Sequence, residues 1–473
     1  MTINTPIIWV FLPILIGIIT AVLFQRQILS VILTCVTGFG LSALALFFPE
    51  ELIIAIGPLT LTFVESLGIL GRQLSVSYQL LPFIGFIFFA TGLWGLGSAV
   101  TNAPDTFRPI SLVISALMTA ALGVRPFLYA ALFIEAAVLF SIPMLSPFRE
   151  KTHPGILRYL SLQTLAMPFI LLAGWLLSGV ETLPPDSPII GQTMLVLGLG
   201  LGLWLAVFPF HSWVPMVSER AHPISLSFLL FIFPTAISLF SLNFLDRYTF
   251  LRTSQNLFEA LRIVGVLMIV FGGLWTAYQE NVKRAFGFST LTETGFMLLA
   301  VGLRDQGGLN LLLMLYPARA IGFWLWGYTL SLIETRADSL TFDGLRGFSH
   351  RYPIISTGLL ISQLSIAGLP LFASFPVKIA LLSTGFSSSV LLGSWVFIGN
   401  LGLFFFTLRL LLTLVAPDEG HGVKKWDVIE KARIYLPILL IAIAIIFIGL
   451  FPNLALTEIT TTVTAFSLSL IHI

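Results

Sequence analysis

The stretch Trp204-Leu-Ala-Val-Phe-Pro209-Phe-His211-Ser-Trp213-Val-Pro215-Met-Val-Ser-Glu-Arg-Ala-His-Pro223 decides how the chain is read. A long apolar helix runs into it, and another apolar helix restarts at Pro223. Proline removes a backbone donor and breaks a helix. In lipid such a break survives only where protein buries it or a wet cavity lines it. Two readings stand. One is a re-entrant loop at the membrane surface with an amphipathic tryptophan anchor. The other is an interrupted helix in the protein interior.

Working outward, composition supplies the solvent. The 473 residues are 57% hydrophobic and only 10% charged, with a mean hydropathy of +0.99, whereas soluble domains carry about 25% charged residues. Apolar stretches recur along the whole chain, about 14 of them, each about 20 residues and so able to cross about 30 Å of hydrocarbon. Short alternating segments, the mark of a β-barrel, do not. The sequence therefore predicts an all-α polytopic membrane protein. The spans are 6–24, 28–48, 76–98, 109–124, 127–147, 156–179, 189–210, 223–245, 259–279, 286–303, 308–333, 354–384, 388–416 and 433–452.

These group into N-terminal helices (1–98), a core (109–416), and a C-terminal helix and tail (433–473). Residues 49–75, interrupted by Gly57, Pro58, Glu65 and Gly71, read as an extracytoplasmic excursion with hairpin character. The stretch 354–384 is too long for one straight crossing. With Gly368, Pro370 and Pro376 it reads as two half-helices around an unwound centre. Two proline-broken helices in corresponding halves of the core point to an inverted repeat with a site between them.

A net charge of +2 implies no particular partner, and nucleic acid is not expected. The single cysteine, Cys35, excludes a disulfide framework and a cysteine metal site. The histidines lack helically spaced partners, so no metal is expected. No glycine-rich phosphate loop occurs and no cofactor is expected. The first apolar stretch lacks a basic start and a small-residue cleavage site, so it reads as an uncleaved span. Loops after odd-numbered spans hold most of the lysines and arginines, from Arg26 to Arg433, and the opposite loops hold few. By the positive-inside rule both termini face outside or the lumen.

Ionisable residues inside spans are functional candidates, because burying each at mid-bilayer costs roughly 2.5–3.5 kcal/mol on insertion scales. Five qualify: Glu135, Glu293, Arg319, Lys378 and Arg409. Each also has a structural alternative. Glu135 could be a protonated interhelical donor. Lys378 and Arg409 could snorkel to the surface. Glu293 and Arg319, on consecutive spans, could form an ion pair.

The block Pro209-Phe-His211-Ser-Trp213-Val-Pro215 resembles the Pro-x-His-x-Trp-x-Pro signature of the antiporter-like membrane-arm subunits of respiratory complex I, relatives of Mrp-type cation/proton antiporters. Glu135 falls where that family places its fifth-helix glutamate. Glu280-Asn-Val-Lys-Arg-Ala-Phe-Gly through Phe296 resembles the family's Lys-Arg-x-x-Ala-Tyr-Ser-Ser-x-x-x-x-Gly segment. Ala367-Gly368-Leu-Pro370 through Lys378 resembles its broken twelfth helix and lysine. The resemblance spans roughly residues 60–415.

It implies proton or cation/proton translocation through Glu135, Glu293, Arg319 and Lys378 within a larger membrane assembly. Pro209, His211, Trp213, Pro215, Gly368 and Pro370 would shape the broken helices. An energy-coupling membrane is implied, bacterial plasma membrane or thylakoid-type. No catalytic site of its own is expected. The chain also departs from the pattern. Trp204 stands where the family has its seventh-helix lysine, and the eighth span, centred near Ser238, has no basic residue. Glu293 replaces a histidine, and Arg319 a lysine. Two functions remain open: an ion-translocating subunit, or a non-conducting paralogue kept as a structural or coupling element.

Overall fold

The computed structural model describes residues 2–47, 53–56, 59–69, 71–146, 153–177, 187–417 and 431–454. Part of the 49–75 excursion, the loop cations Arg149, Lys151, Lys424 and Lys425, His421 and the tail with His472 lie outside them.

The helices are α1 (Leu12–Val22), α2 (Gln27–Leu46), α3 (Leu81–Gly97), α4 (Phe107–Gly123), α5 (Ala130–Leu145), α6 (Pro154–Leu177), α7 (Pro188–Trp204), α8 (Trp213–Arg220), α9 (Pro223–Arg247), α10 (Thr249–Thr253), α11 (Gln255–Tyr278), α12 (Val282–Gly302), α13 (Gly308–Glu334), α14 (Phe342–Leu345), α15 (Pro353–Ala367), α16 (Phe375–Ser388), α17 (Val390–Val415) and α18 (Ala432–Leu450). Among the described residues, ten helical stretches are long and apolar enough to cross a membrane, and four more are shorter and apolar. This is a multi-pass integral membrane protein.

Among the described residues, six short strands accompany the helices. Strands β1 (Thr2–Asn4), β2 (Ile53–Ile56) and β3 (Leu59–Val64) form one sheet in the order β1-β3-β2. Strands β4 (Ser66–Ile69), β5 (Arg72–Ser75) and β6 (Val124–Arg125) form another. Strands β4 and β5 pair as a hairpin around Gly71, whose φ of +73° suits glycine.

Helix α12 is the central pole, and only Arg284 along its length is not buried. It carries Ser289, Thr290, Thr292, Glu293 and Thr294, a polarity that lipid would not tolerate. Neighbouring α8, α9, α11, α13, α16 and α17 shield it. Close approach is bought with glycine, the small-residue solution for helix packing without a hydrophobic drive. A Cβ on Gly273 of α11 would overlap the Gly399 carbonyl of α17, and one on Gly265 would press on Gly295 and Leu299 of α12.

Both expected helix breaks are present, and both use one device. Helix α15 ends on Gly368 at φ +68°. The Leu369 amide donates to Leu364 O and the Gly368 amide to Ser365 O, a left-handed cap that closes the helix. Helix α7 ends likewise, with Ala206 at φ +52°, Val207 N donating to Gly202 O and Ala206 N to Leu203 O. Trp213 is buried, its ring centroid 4.8 Å from that of Tyr159. The surface-anchor reading of this break is therefore wrong, because tertiary packing takes Trp213 inward.

Substituting Gly273→Ala should force α11 and α17 apart and cost about 1–3 kcal/mol by overpacking. Gly198→Ala, where nothing lies within 4 Å of the added methyl, should leave stability unchanged. Thermal unfolding of the purified protein in detergent, with the two variants side by side, checks the contrast.

Candidate functional site

The break in α15 builds the site. A helix leaves its last four carbonyls without intrahelical partners. Here those of Leu364 and Ser365 are taken by the left-handed cap, and that of Ala367 accepts from Asn400 Nδ2 at 2.9 Å. The Ile366 carbonyl accepts from Lys378 Nζ at 2.5 Å. Lys378, in the first turn of α16, thus folds back over the break. Gly368 is required beneath it, since a Cβ there would sit 2.5 Å from Lys378 Cδ.

The same ammonium lies 2.6 Å from Glu293 Oε1 on α12 and 4.5 Å from the Phe296 ring centroid. Both side chains are buried, at 3% and 1% exposure, so Lys378 does not snorkel. Among the described residues the second carboxylate oxygen, Glu293 Oε2, has no hydrogen-bond partner.

The expected Glu293–Arg319 pair does not form. Pro234 inside α9 has no amide to donate back to Leu230. The freed Leu230 carbonyl accepts from Arg319 Nη2 at 2.9 Å, and Nη1 rests on Met297 Sδ. The guanidinium also lies 4.9 Å from the Phe323 ring centroid. One turn away on α13, Tyr316 hydrogen-bonds Ser238 at 2.7 Å, so a neutral hydroxyl pair stands at the position where a basic residue is missing.

Glu135 lies apart from this cluster. It is half-buried on α5, and Thr164 of α6 donates to its Oε1 at 2.8 Å. Between the two regions lies a small cavity lined by Tyr159, Gln163, Trp204, Trp213, Thr290 and Thr294, among others. Gln163 Nε2 donates to the carbonyls of Leu203 (3.2 Å) and Trp204 (3.3 Å) at the end of α7. His211 packs on the rings of Phe208 and Phe271, centroids 5.5 and 4.5 Å away. Arg409 does not float free in an interface; its guanidinium caps the end of α11 at the Ala277 and Gln279 carbonyls.

Two residues counted as loop cations prove to be interior. Arg108 is buried in α4 with Nε on Ser98 Oγ at 3.2 Å. Lys283 is buried at the start of α12, 2.8 Å from Glu334 Oε1 at the end of α13. His222 lies within electrostatic reach of both members of that pair. Sequence reasoning ranked residues by charge within spans, and so passed over Gln163 and the Lys283–Glu334 pair. The one signal for Gln163 was an amide amid an apolar run.

Residues 177–405 match the family model described as "NADH:quinone oxidoreductase/Mrp antiporter, TM". Among curated relatives, NADH-quinone oxidoreductase subunit N of Deinococcus radiodurans is 27% identical over 304 residues, 58% of this chain and 56% of that one. Its counterpart in Ectopseudomonas mendocina is 29% identical over 285 residues, covering 56% and 55%. The match thus spans just over half the length of these relatives.

Solved structures align along nearly the whole chain. A chain of the membrane-bound sulfane sulfur reductase, an archaeal respiratory membrane complex, gives a TM-score of 0.80 at 18% identity, covering 96% of each chain. One from the Mrp complex of Dietzia sp. DQ12-45-1b gives 0.76 at 15% identity, over 97% of this chain and 96% of that. One from Thermus thermophilus respiratory complex I with bound NADH gives 0.76 at 18% identity, over 97% and 99%. At these identities the likeness is one of fold.

Breaking a buried pair strands the remaining charge and costs about 3–5 kcal/mol. Glu293→Gln and Lys378→Met should each lower thermal stability, and the double variant should recover much of the loss. Arg319→Gln combined with Glu293→Gln should show far weaker coupling, since these two do not pair. A double-mutant cycle on detergent-solubilised protein distinguishes the two partners.

Burial pushes the His222 imidazole down to about 4, with Glu334 opposing and Lys283 reinforcing the shift. The fold favours neutral His222, so its contribution is complete above the unfolded value of about 6.5 and is lost as pH falls from there toward 4. His222→Gln should flatten the loss of thermal stability across that window, read by unfolding at pH 7.5, 6 and 4.5.

Proposed function

We propose that this chain is an antiporter-like membrane protein of the NADH:quinone oxidoreductase/Mrp type, the family model that its residues 177–405 match, and that it moves protons across the bilayer through the Glu293–Lys378 pair. The observation that carries the reading is the buried ammonium of Lys378, held between a broken-helix carbonyl and a carboxylate. Each charge is tolerable there only because the other is present. Moving the two apart favours neutral forms of both, since an uncompensated buried charge neutralises. With the two apart, Lys378 releases its proton toward one side and Glu293 takes one up from the other; on closure the carboxyl proton passes to the amine, the charged pair is restored and one proton has moved. The free Oε2 of Glu293 offers the second acceptor such a relay needs.

Arg319 acts as a fixed cation, because guanidinium does not release its proton. Glu135, half-buried beside Thr164 on the outer side of α6, is the remote carboxyl of the path. His211, Trp213 and the prolines at 209, 215 and 370 hold the two breaks open. The chain works as one membrane subunit among others, as its relatives' names describe them. Each proton moved against 100 mV needs about 2.3 kcal/mol, supplied by redox chemistry or a counter-ion gradient elsewhere in the assembly. The loop-charge asymmetry supports an orientation with both termini outside or lumenal.

One observation favours the second reading, a non-conducting structural subunit. Trp204 and the Ser238–Tyr316 hydrogen bond occupy the positions where the seventh-helix lysine and the eighth-helix basic residue are missing.

The two readings part at Lys378. Under the transport reading, Lys378→Met and Lys378→Arg should each cut proton flux by about 100-fold or more, on the scale of positioned proton transfer, while the assembly still co-purifies. Flux is read with a pH-sensitive dye in vesicles holding the intact assembly. Normal flux in both variants would make Lys378 a structural cation and leave the scaffold reading.

A further inference from the structure

A larger cavity, about 520 Å³, lies between α7, α9, α10, α11 and α12. Close-packed interiors seldom leave voids bigger than a water molecule. It occupies one half of the bundle, along 238–245 of α9, 256–264 of α11 and 294–301 of α12. From Met194 to Leu205 along α7, and from Asn256 to Val264 along α11, it runs about 12–17 Å at 1.5 Å per residue. Half the hydrocarbon of a bilayer is about 15 Å. The cavity is one leaflet deep. Leu195 and Ala260 belong to its lining and are also exposed, so it opens sideways between α7 and α11. Ile263 and Leu267 are exposed beside that opening, and in a spanning helix such a face meets lipid.

The lining selects an apolar occupant. Among the described residues no charged side chain lines the cavity. Its hydroxyls already donate within the protein: Ser238 to Thr235 O, Ser241 to Ile237 O and Thr294 to Thr290 O. An apolar cavity stays dry, so water does not fill it. The one amide of the lining, Asn256, is exposed at the end near α10. Charge gathers at that same end. Helix α9 closes on Asp246-Arg247, α10 carries Arg252, and Glu259, Arg262, Arg304 and Asp305 stand around the ends of α11 and α12. Arg304 pairs with Asp305 at 3.3 Å, and Glu259 accepts from Gln255 at 3.2 Å. Arg262 follows Leu261 of the lining, and its stem lies against Gly302, next to Val301 of the lining. Its Nε is buried and has no hydrogen-bond partner among the described residues. A guanidinium at the rim of a hydrocarbon slot fits a phosphate, which matches it in charge and in hydrogen-bond geometry.

We propose that this cavity binds one acyl chain of a membrane phospholipid, which enters between α7 and α11 with its phosphate at the level of Arg262 and its methyl end against Met297. Three features converge on that occupant: a depth of one leaflet, a side opening onto lipid, and an arginine at one end only. The inner end has a consequence for the buried cation. Met297 Sδ rests on Arg319 Nη1, and Ser238 beside it holds Tyr316. The bound hydrocarbon therefore backs the layer that covers Arg319 and keeps water from it. The site does not depend on the transport reading.

Two measurements test it on the protein in its intact assembly. The first uses vesicles of phosphatidylethanolamine and phosphatidylglycerol in which a trace of the phospholipid carries a photoreactive diazirine at the end of one chain. After illumination, Met297 and Leu298, only 2% and 8% exposed, should carry the adduct at no less than the yield of Leu440 and Ile443 on the exposed face of α18. Lipid in passing contact reaches the second pair and not the first. Gly198→Phe sends a ring into the cavity from a position where an added Cβ meets nothing within 4 Å, and Ala260→Phe fills it from α11. Either should cut the adduct on Met297 and Leu298 by about tenfold or more, since losing a couple of buried methylenes is enough, and leave α18 unchanged. Arg262→Gln, which removes the cation, should cut it about fivefold. The second measurement is a map of the assembly, which should show an unbranched density in the slot. No adduct on Met297 or Leu298, or one that neither phenylalanine reduces, overturns the site. An unchanged adduct in Arg262→Gln overturns the placing of the phosphate. A helix of another subunit in the slot, or a ring head group on a branched tail, overturns the phospholipid.

Discussion

Lys378 can be buried because two elements far apart in sequence meet over one helix break. The Ile366 carbonyl, which helix termination leaves unpaired, turns toward the ammonium, and α12 brings the Glu293 carboxylate to 2.6 Å. Taking either ion alone out of water costs several kcal/mol even after relaxation. The rest of the core is arranged so that neither is alone. Gly368 clears room for the lysine stem, Asn400 takes the neighbouring carbonyl, and the Phe296 ring closes the remaining side of the ammonium.

The same constraint explains the second broken helix and its different content. Helices α7 and α15 end in the same left-handed cap, at Ala206 and Gly368. Both expose carbonyls in a region without bulk water, where each must find a donor. In α15 the donor is a lysine that can be charged. In α7 it is the Gln163 amide, which is always neutral. With Trp204 filling the neighbouring volume, that half of the core holds a neutral polar site where the other half holds an ion pair. The asymmetry places the chain's buried charge compensation in one half. Arg319 belongs to the same logic, since Pro234 frees the carbonyl that binds it.

Helix α12 links these halves. It touches the α7–α8 break through its threonines and the α15–α16 break through Glu293, and it begins at the Lys283–Glu334 pair near His222. Such a polar helix can exist in a bilayer only when fully surrounded. Glycines on α11 and α17 let the surrounding helices close tightly enough to exclude lipid.

The sequence by itself determined the solvent, the helical class, both breaks and the candidate charges, because each depends on local chemistry. Apolar length marks a span, proline and glycine mark an interruption, and a charge in an apolar run marks a cost that function or pairing must justify. Only the tertiary structure decided which charge meets which. Glu293 and Arg319 lie on consecutive helices and looked like partners, yet the α15–α16 break folds Lys378 onto Glu293, and a proline-freed carbonyl claims Arg319. It also decided that Trp213 is interior, that Arg108 and Lys283 are buried, and that Gln163 holds the end of α7. Pairing is set by distance in space, and that follows from how the helices pack around α12. No spacing along the chain encodes it.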